Sequence, residues 1–223
     1  MKNRRLRKTK KKKISQNWQS SYDEPVDIWY CKNLDLTNRT VYFGAWQTSE
    51  VTSEEDLDAW VVDDFSVQNA IKGLYILNRM SNEPITIIWC SHGGDWSAGM
   101  ALYDFIQTIK SPVIMKCFGR VRSMGTIILQ ACKKRLLSPH CEFVIHYGTA
   151  GVNEAHAKDV ERFAQDLRKT NEKMEQIYFK KIREKNPKFE LKTLQNYWLK
   201  YDKYLSPKEA IGLGLADGII KSI

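Results

Sequence analysis

Between positions 85 and 146, three short apolar runs alternate with two helical stripes. The runs cover 85–90, 113–118 and 142–146. The first is almost continuously apolar, which fits a strand buried on both faces. The stripe after it places apolar residues at 98, 101, 102, 105, 106 and 109, a helical period. A β-α-β-α-β order this tight restricts the chain to right-handed crossovers and a mainly parallel sheet, so the expected class is α/β.

The junctions carry the chemistry. Ser91-His92-Gly93-Gly94-Asp95 joins the first strand to its helix. Gly119-Arg120-Val121-Arg122-Ser123-Met124-Gly125 joins the second strand to the next helix, and His146 ends the third run. A serine at a helix N-terminus sits where orphan N–H groups and the helix dipole favour negative charge. A glycine pair lets a substrate backbone approach closely. The set can supply a nucleophile, its base and N–H donors for an oxyanion. By base rate, a serine in such a place caps a helix, and a histidine after a strand is packed. His92, His140 and His156 take that ordinary reading, and Trp46, Trp60, Trp89 and Trp96 read as packing or interface residues.

Elsewhere the pattern predicts a strand over 39–44, an acid-rich loop or helix start over 49–58, and a helix over 65–80 stopped by Pro84. Asp95 or Ser97 caps the helix after the glycine pair. A long charged helix over 154–185 is too polar to be buried throughout, so it is expected to project or meet a neighbouring subunit. Ser206-Pro207-Lys208-Glu209 is a capping box with proline at the first helical position, and a last strand is expected over 215–220. With no internal repeat, a single domain over 27–223 follows a tail of 1–26.

Net charge is +9, and residues 1–13 alone hold nine basic side chains and no acid. The remaining chain is balanced at 26 basic and 26 acidic residues. The tail is expected to be disordered, a solvated terminus or an arm for nucleic acid or another anionic surface. No secretory signal or membrane-length apolar run is present, so a cytoplasmic protein is expected. The five cysteines form no C-x-x-C pair and the four histidines lack metal spacing, which predicts reduced thiols and neither metal nor cofactor.

The ordered set from 85 to 146, resumed at Tyr204-Leu205-Ser206-Pro207-Lys208-Glu209-Ala210 and Gly214-Leu215-Ala216-Asp217, resembles the proteolytic subunit of the Clp protease, within the crotonase-like superfamily. The resemblance runs from about Arg39 to Ile220. It implies a repeated β-β-α spiral with a mostly parallel sheet and a projecting helix. It makes Ser123 the nucleophile, His146 the general base, and the Gly94 and Met124 N–H groups the oxyanion hole. It also implies a ring homo-oligomer, a heptamer or stacked heptamers, fed unfolded polypeptide by an ATP-driven unfoldase, with ATP used by that partner.

The third catalytic group departs from the family. Its aspartate falls on Trp198, and the nearest acid, Asp202, is the expected replacement. Arg120 and Arg122 flank the serine where neutral residues are usual, either favouring an oxyanion or facing solvent. Two other functions stay open on sequence: a non-catalytic ring subunit, and a viral prohead maturation protease.

Overall fold

The computed structural model describes residues 33–44, 61–149, 151, 156–198 and 202–222. The basic tail, Cys31, Trp46, Trp60 and the 49–58 segment lie outside the described residues.

The chain opens with β1 (Leu34–Asp35) and β2 (Thr40–Gly44), followed by the short β3 (Val61–Val62) and α1 (Asp64–Met80). Helix α1 starts at a capping box. Asp63 Oδ1 accepts the Ser66 N–H at 2.7 Å, and Ser66 Oγ accepts the Asp63 N–H at 3.0 Å. Then come β4 (Ile85–Ser91), β5 (Gly93–Gly94) and α2 (Trp96–Thr108). Asp95 rather than Ser97 caps α2, accepting the Ala98 N–H at 2.8 Å.

Next are β6 (Val113–Arg122), α3 (Met124–Ala131), β7 (Lys134–Leu137) and β8 (Glu142–Ile145). The C-terminal part holds α4 (Ala157–Lys185), α5 (Leu191–Trp198), β9 (Lys203–Leu205), α6 (Pro207–Leu213) and β10 (Gly218–Ile219). The Ser206 box caps α6, its hydroxyl accepting the Glu209 N–H.

Strands β2, β4, β6, β7 and β10 run parallel in that spatial order, and β1 pairs antiparallel with β2. Strand β6 is the organiser. Its first half pairs with β7 and its last three residues pair with β8, so the sheet divides along one strand. The division falls at Gly119, whose φ of 68° lets the chain turn without a Cβ clash, beside the register shift between Trp89 and Ser91. Strand β8 also takes β9 as an antiparallel neighbour.

Strands β7 and β9 and helix α5 are not predicted from the sequence. Lys134-Arg135-Leu136-Leu137 has too few residues to show a period, and β9 is only three residues long. Tertiary pairing makes them strands.

Apolar faces of α1, α2 and α3 close on the sheet. Trp89 is fully buried and stacked on Phe43 with ring centroids 4.2 Å apart. Such a side chain contributes about 1.5–3 kcal/mol or more by burial. Helix α4 divides in two. Met174, Glu175, Tyr178 and Ile182 are buried, whereas Val160 and Phe163 nearer its start are exposed. The long helix therefore packs by its second half, the end at which its sequence stripe turns more polar.

Candidate active site

Ser123 stands at the end of β6 with φ 49° and ψ −125°, a conformation that non-glycine residues rarely adopt. It occupies the cap position of α3, but its hydroxyl makes no capping hydrogen bond. The ordinary reading of a helix-opening serine thus fails here. The backbone holds the elbow instead: Ser123 N–H donates to Val144 O at 2.8 Å, and Thr126 donates to Ser123 O from both its N–H and its hydroxyl. Strain of this kind persists only where the surroundings over-determine it, as at a nucleophile elbow.

His146 follows the last residue of β8 and is half-buried. Its Nδ1 lies 2.6 Å from Tyr147 O. A carbonyl can only accept, so Nδ1 carries the proton and Nε2 is the basic nitrogen. Ser123, His146, Gly93, Gly94 and Met124 all line one cavity of about 720 Å³. Met124 is the first residue of α3, so its N–H has no intrahelical acceptor. Leu167, Thr170 and Met174 of α4 form another wall of the same cavity. The polar first half of that helix therefore also serves the site, which its charge pattern did not reveal.

Helix α4 braces both halves of the site from one face. Buried Tyr178 hydrogen-bonds to the Thr126 hydroxyl, and thus to the elbow. Burial pushes the Tyr178 phenol far up despite that bond, so it stays neutral. Because Thr126 gives its hydroxyl proton to Ser123 O, Tyr178 is the donor. Asn171 Oδ1 accepts the Gly148 N–H at 2.9 Å, and Tyr147 Oη donates to Glu175 at 2.5 Å, both just after the histidine. Asn171, Glu175 and Tyr178 recur at helical spacing. Asn171 and Tyr178 stand in the stripe visible in the sequence, but their bonding to the site does not.

Asp202 is exposed and precedes β9. It does not continue the helix that ends at Trp198. The pairing of β9 with β8 ends with Lys203 opposite Ile145, so Asp202 and His146 each lie one residue beyond it. The nitrogen that a carboxylate would orient already faces the Tyr147 carbonyl. His92 also lines the cavity, whereas His140 and His156 are exposed. Arg120 and Arg122 are both paired with Glu142 of β8 and do not line the cavity, so neither is an oxyanion donor in this arrangement. Among the described residues no cluster of His, Cys, Asp or Glu could hold a metal ion, and no helix is long and apolar enough to cross a membrane.

A strained serine elbow and an imidazole line one cavity of a mainly parallel α/β sheet, an arrangement that fits a serine hydrolase. The Clp protease family model matches residues 58–223. The chain is 33% identical over 149 residues to ATP-dependent Clp protease proteolytic subunit 3 of Parasynechococcus marenigrum strain WH8102, covering 66% of this chain and 72% of that one. It is 32% identical over 149 residues to proteolytic subunit 2 of Prochlorococcus marinus strain MIT 9313, with the same coverage of 66% and 72%. A point mutant of ClpP1 from Listeria monocytogenes shares the fold at a TM-score of 0.67 and 24% identity, over 84% of this chain and 94% of that one. The chain belongs to the Clp protease family, as a serine-type proteolytic core subunit.

Proposed function

We propose that Ser123 is the nucleophile of this peptidase and His146 its general base. His146 Nε2 takes the serine proton as Oγ attacks the peptide carbonyl. The Gly94 and Met124 N–H groups receive the oxyanion, the protonated imidazole returns its proton to the leaving amine, and water then releases the acyl-enzyme. The single observation that carries this reading is the uncapped, strained Ser123 on the cavity that His146 also lines.

Asp202, one residue before the β9 pairing that ends beside His146, is proposed to stabilise the imidazolium by its charge, weakly because it is exposed. The folded unit is read as one domain over 27–223, a crotonase-like spiral of β-β-α units, with 1–26 a separate tail able to meet nucleic acid. Family membership supports assembly as a ring, heptameric or of stacked heptamers, that receives unfolded polypeptide from an ATP-driven unfoldase.

The assignment is tested by fluorophosphonate labelling of the assembled protein. The adduct is expected on Ser123, abolished by Ser123→Ala and slowed at least about 10³-fold by His146→Ala. An assembled ring with no adduct on Ser123 would sink it. That outcome would favour the non-catalytic ring subunit, the reading that Trp198 at the family's aspartate position raises.

A further inference from the structure

The base needs its imidazole held in one tautomer and one orientation, and here a peptide group stands where a carboxylate is expected. We propose that Asn171 is a positioning residue that orients His146 through the Tyr147–Gly148 peptide. The inference rests on the reading of His146 as the base.

Asn171 Oδ1 accepts the Gly148 N–H at 2.9 Å. The carbonyl of that same peptide, Tyr147 O, lies 2.6 Å from His146 Nδ1. A trans peptide is planar, so fixing the N–H direction fixes the direction of the C=O. The three groups form one line of hydrogen bonds, from imidazole N–H to carbonyl, then from amide N–H to carboxamide oxygen. Each bond polarises the next, so the carboxamide strengthens Tyr147 O as an acceptor. The donor at Gly148 also settles which Asn171 atom faces it: the oxygen.

A second tether, from the same helix, holds the residue that carries that carbonyl. Tyr147 Oη donates to Glu175 Oε1 at 2.5 Å, and Gln195 Nε2 of α5 donates to Glu175 Oε2 at 3.0 Å. Glu175 is only 6% exposed and has no ion pair among the described residues. A buried carboxylate without a cation is expensive unless its oxygens are hydrogen-bonded. Anchoring Tyr147 explains its presence. Asn171 and Glu175 are one helical turn apart, so α4 grips the histidine loop at two successive points. The two tasks of a triad acid are divided: orientation comes from the peptide, and charge stabilisation is left to Asp202.

The test uses the full chain, uniformly 15N-labelled at histidine and sedimented as the assembled protein for solid-state NMR. The signal of His146 is identified by its loss in His146→Ala. The wild type is expected to show a single tautomer protonated at Nδ1. Asn171→Leu removes the acceptor at similar volume. It should produce mixed tautomers and slow acylation of Ser123 by the fluorophosphonate by about 10- to 100-fold, the cost typical of losing an outer partner of a functional histidine. Asn171→Asp keeps an oxygen acceptor and should restore the single tautomer and most of the rate.

A wild-type His146 protonated at Nε2 would overturn the proposal. So would Asn171→Leu with tautomer unchanged, whatever its rate, because the residue would then act only on pocket shape. If wild-type Ser123 takes no label, the nucleophile assignment fails, and the NMR signals still decide the role of Asn171.

Discussion

Gly93 and Ser123 are packed so closely that a Cβ on the glycine would lie 2.6 Å from the serine Cβ. The same atom would meet Arg122 O at 2.8 Å and Met124 N at 3.0 Å, so side chain and backbone of the elbow both press on position 93. The glycine pair is therefore needed for contact with the nucleophile as well as for substrate approach. With φ at 99°, the position also disfavours any L side chain. Gly93→Ala is expected to lose about 2–4 kcal/mol, from overpacking plus the left-handed backbone. It should also slow Ser123 labelling at least about 100-fold by displacing the elbow. Denaturant unfolding and labelling rates check the two parts; a variant that labels at the wild-type rate would refute the close packing.

Asp217 pairs with Arg135, which is 8% exposed and reaches it through Nη2 at 2.5 Å and Nε at 3.2 Å. Burial raises the Asp217 carboxyl, but hydrogen bonds and charge from Arg135 outweigh this and hold it below the usual aspartate range. A depressed folded-state value means that the stabilisation is fully present above the unfolded value of about 3.9 and is lost as pH falls through the folded value. Asp217→Ala is expected to cost about 1–3 kcal/mol at neutral pH, because it removes the counter-charge of a buried guanidinium, a loss that solvent screening reduces since Asp217 itself is exposed. That gap should be flat from pH 6 to 8 and narrow below about pH 4. Urea unfolding of both proteins across this range measures it; a gap that widens in acid would contradict the pairing.

Three of the four described cysteines are buried in the core, and burial is the main cause of their shifted thiols. Cys141 is pushed up to about 12, and Cys117 and Cys132 are also raised. At pH 8 only about one Cys141 thiol in ten thousand is ionised, and only the thiolate reacts. Iodoacetamide at pH 8 should therefore leave Cys117, Cys132 and Cys141 unmodified in the folded protein and modify all three in denaturant. Peptide mapping reads the result, and rapid native labelling of Cys141 would show that its segment opens readily.

Local patterns were enough to read much of the fold and part of the site. Apolar runs marked β4, the first part of β6 and β8, because strands in the interior of the sheet leave few polar positions. The capping box before α6 was legible because its partners, Ser206 and Glu209, are three residues apart. The candidates Ser123, Gly94, Met124 and His146 could be named from the sequence because each stands at a strand end or helix start and matches the family resemblance.

What lies near in space but far along the chain was hidden. The pairing of Arg120 and Arg122 with Glu142 depends on how β8 registers against β6. The histidine loop meets Asn171 and Glu175 only after α4 has packed across the cavity. Periodicity and capping act over three or four residues, so the amino-acid order alone determined most of the longer elements and named the candidate nucleophile and base. Which groups hold that base in place was decided only by tertiary packing, because a hydrogen bond spanning more than twenty residues leaves no mark on either local pattern.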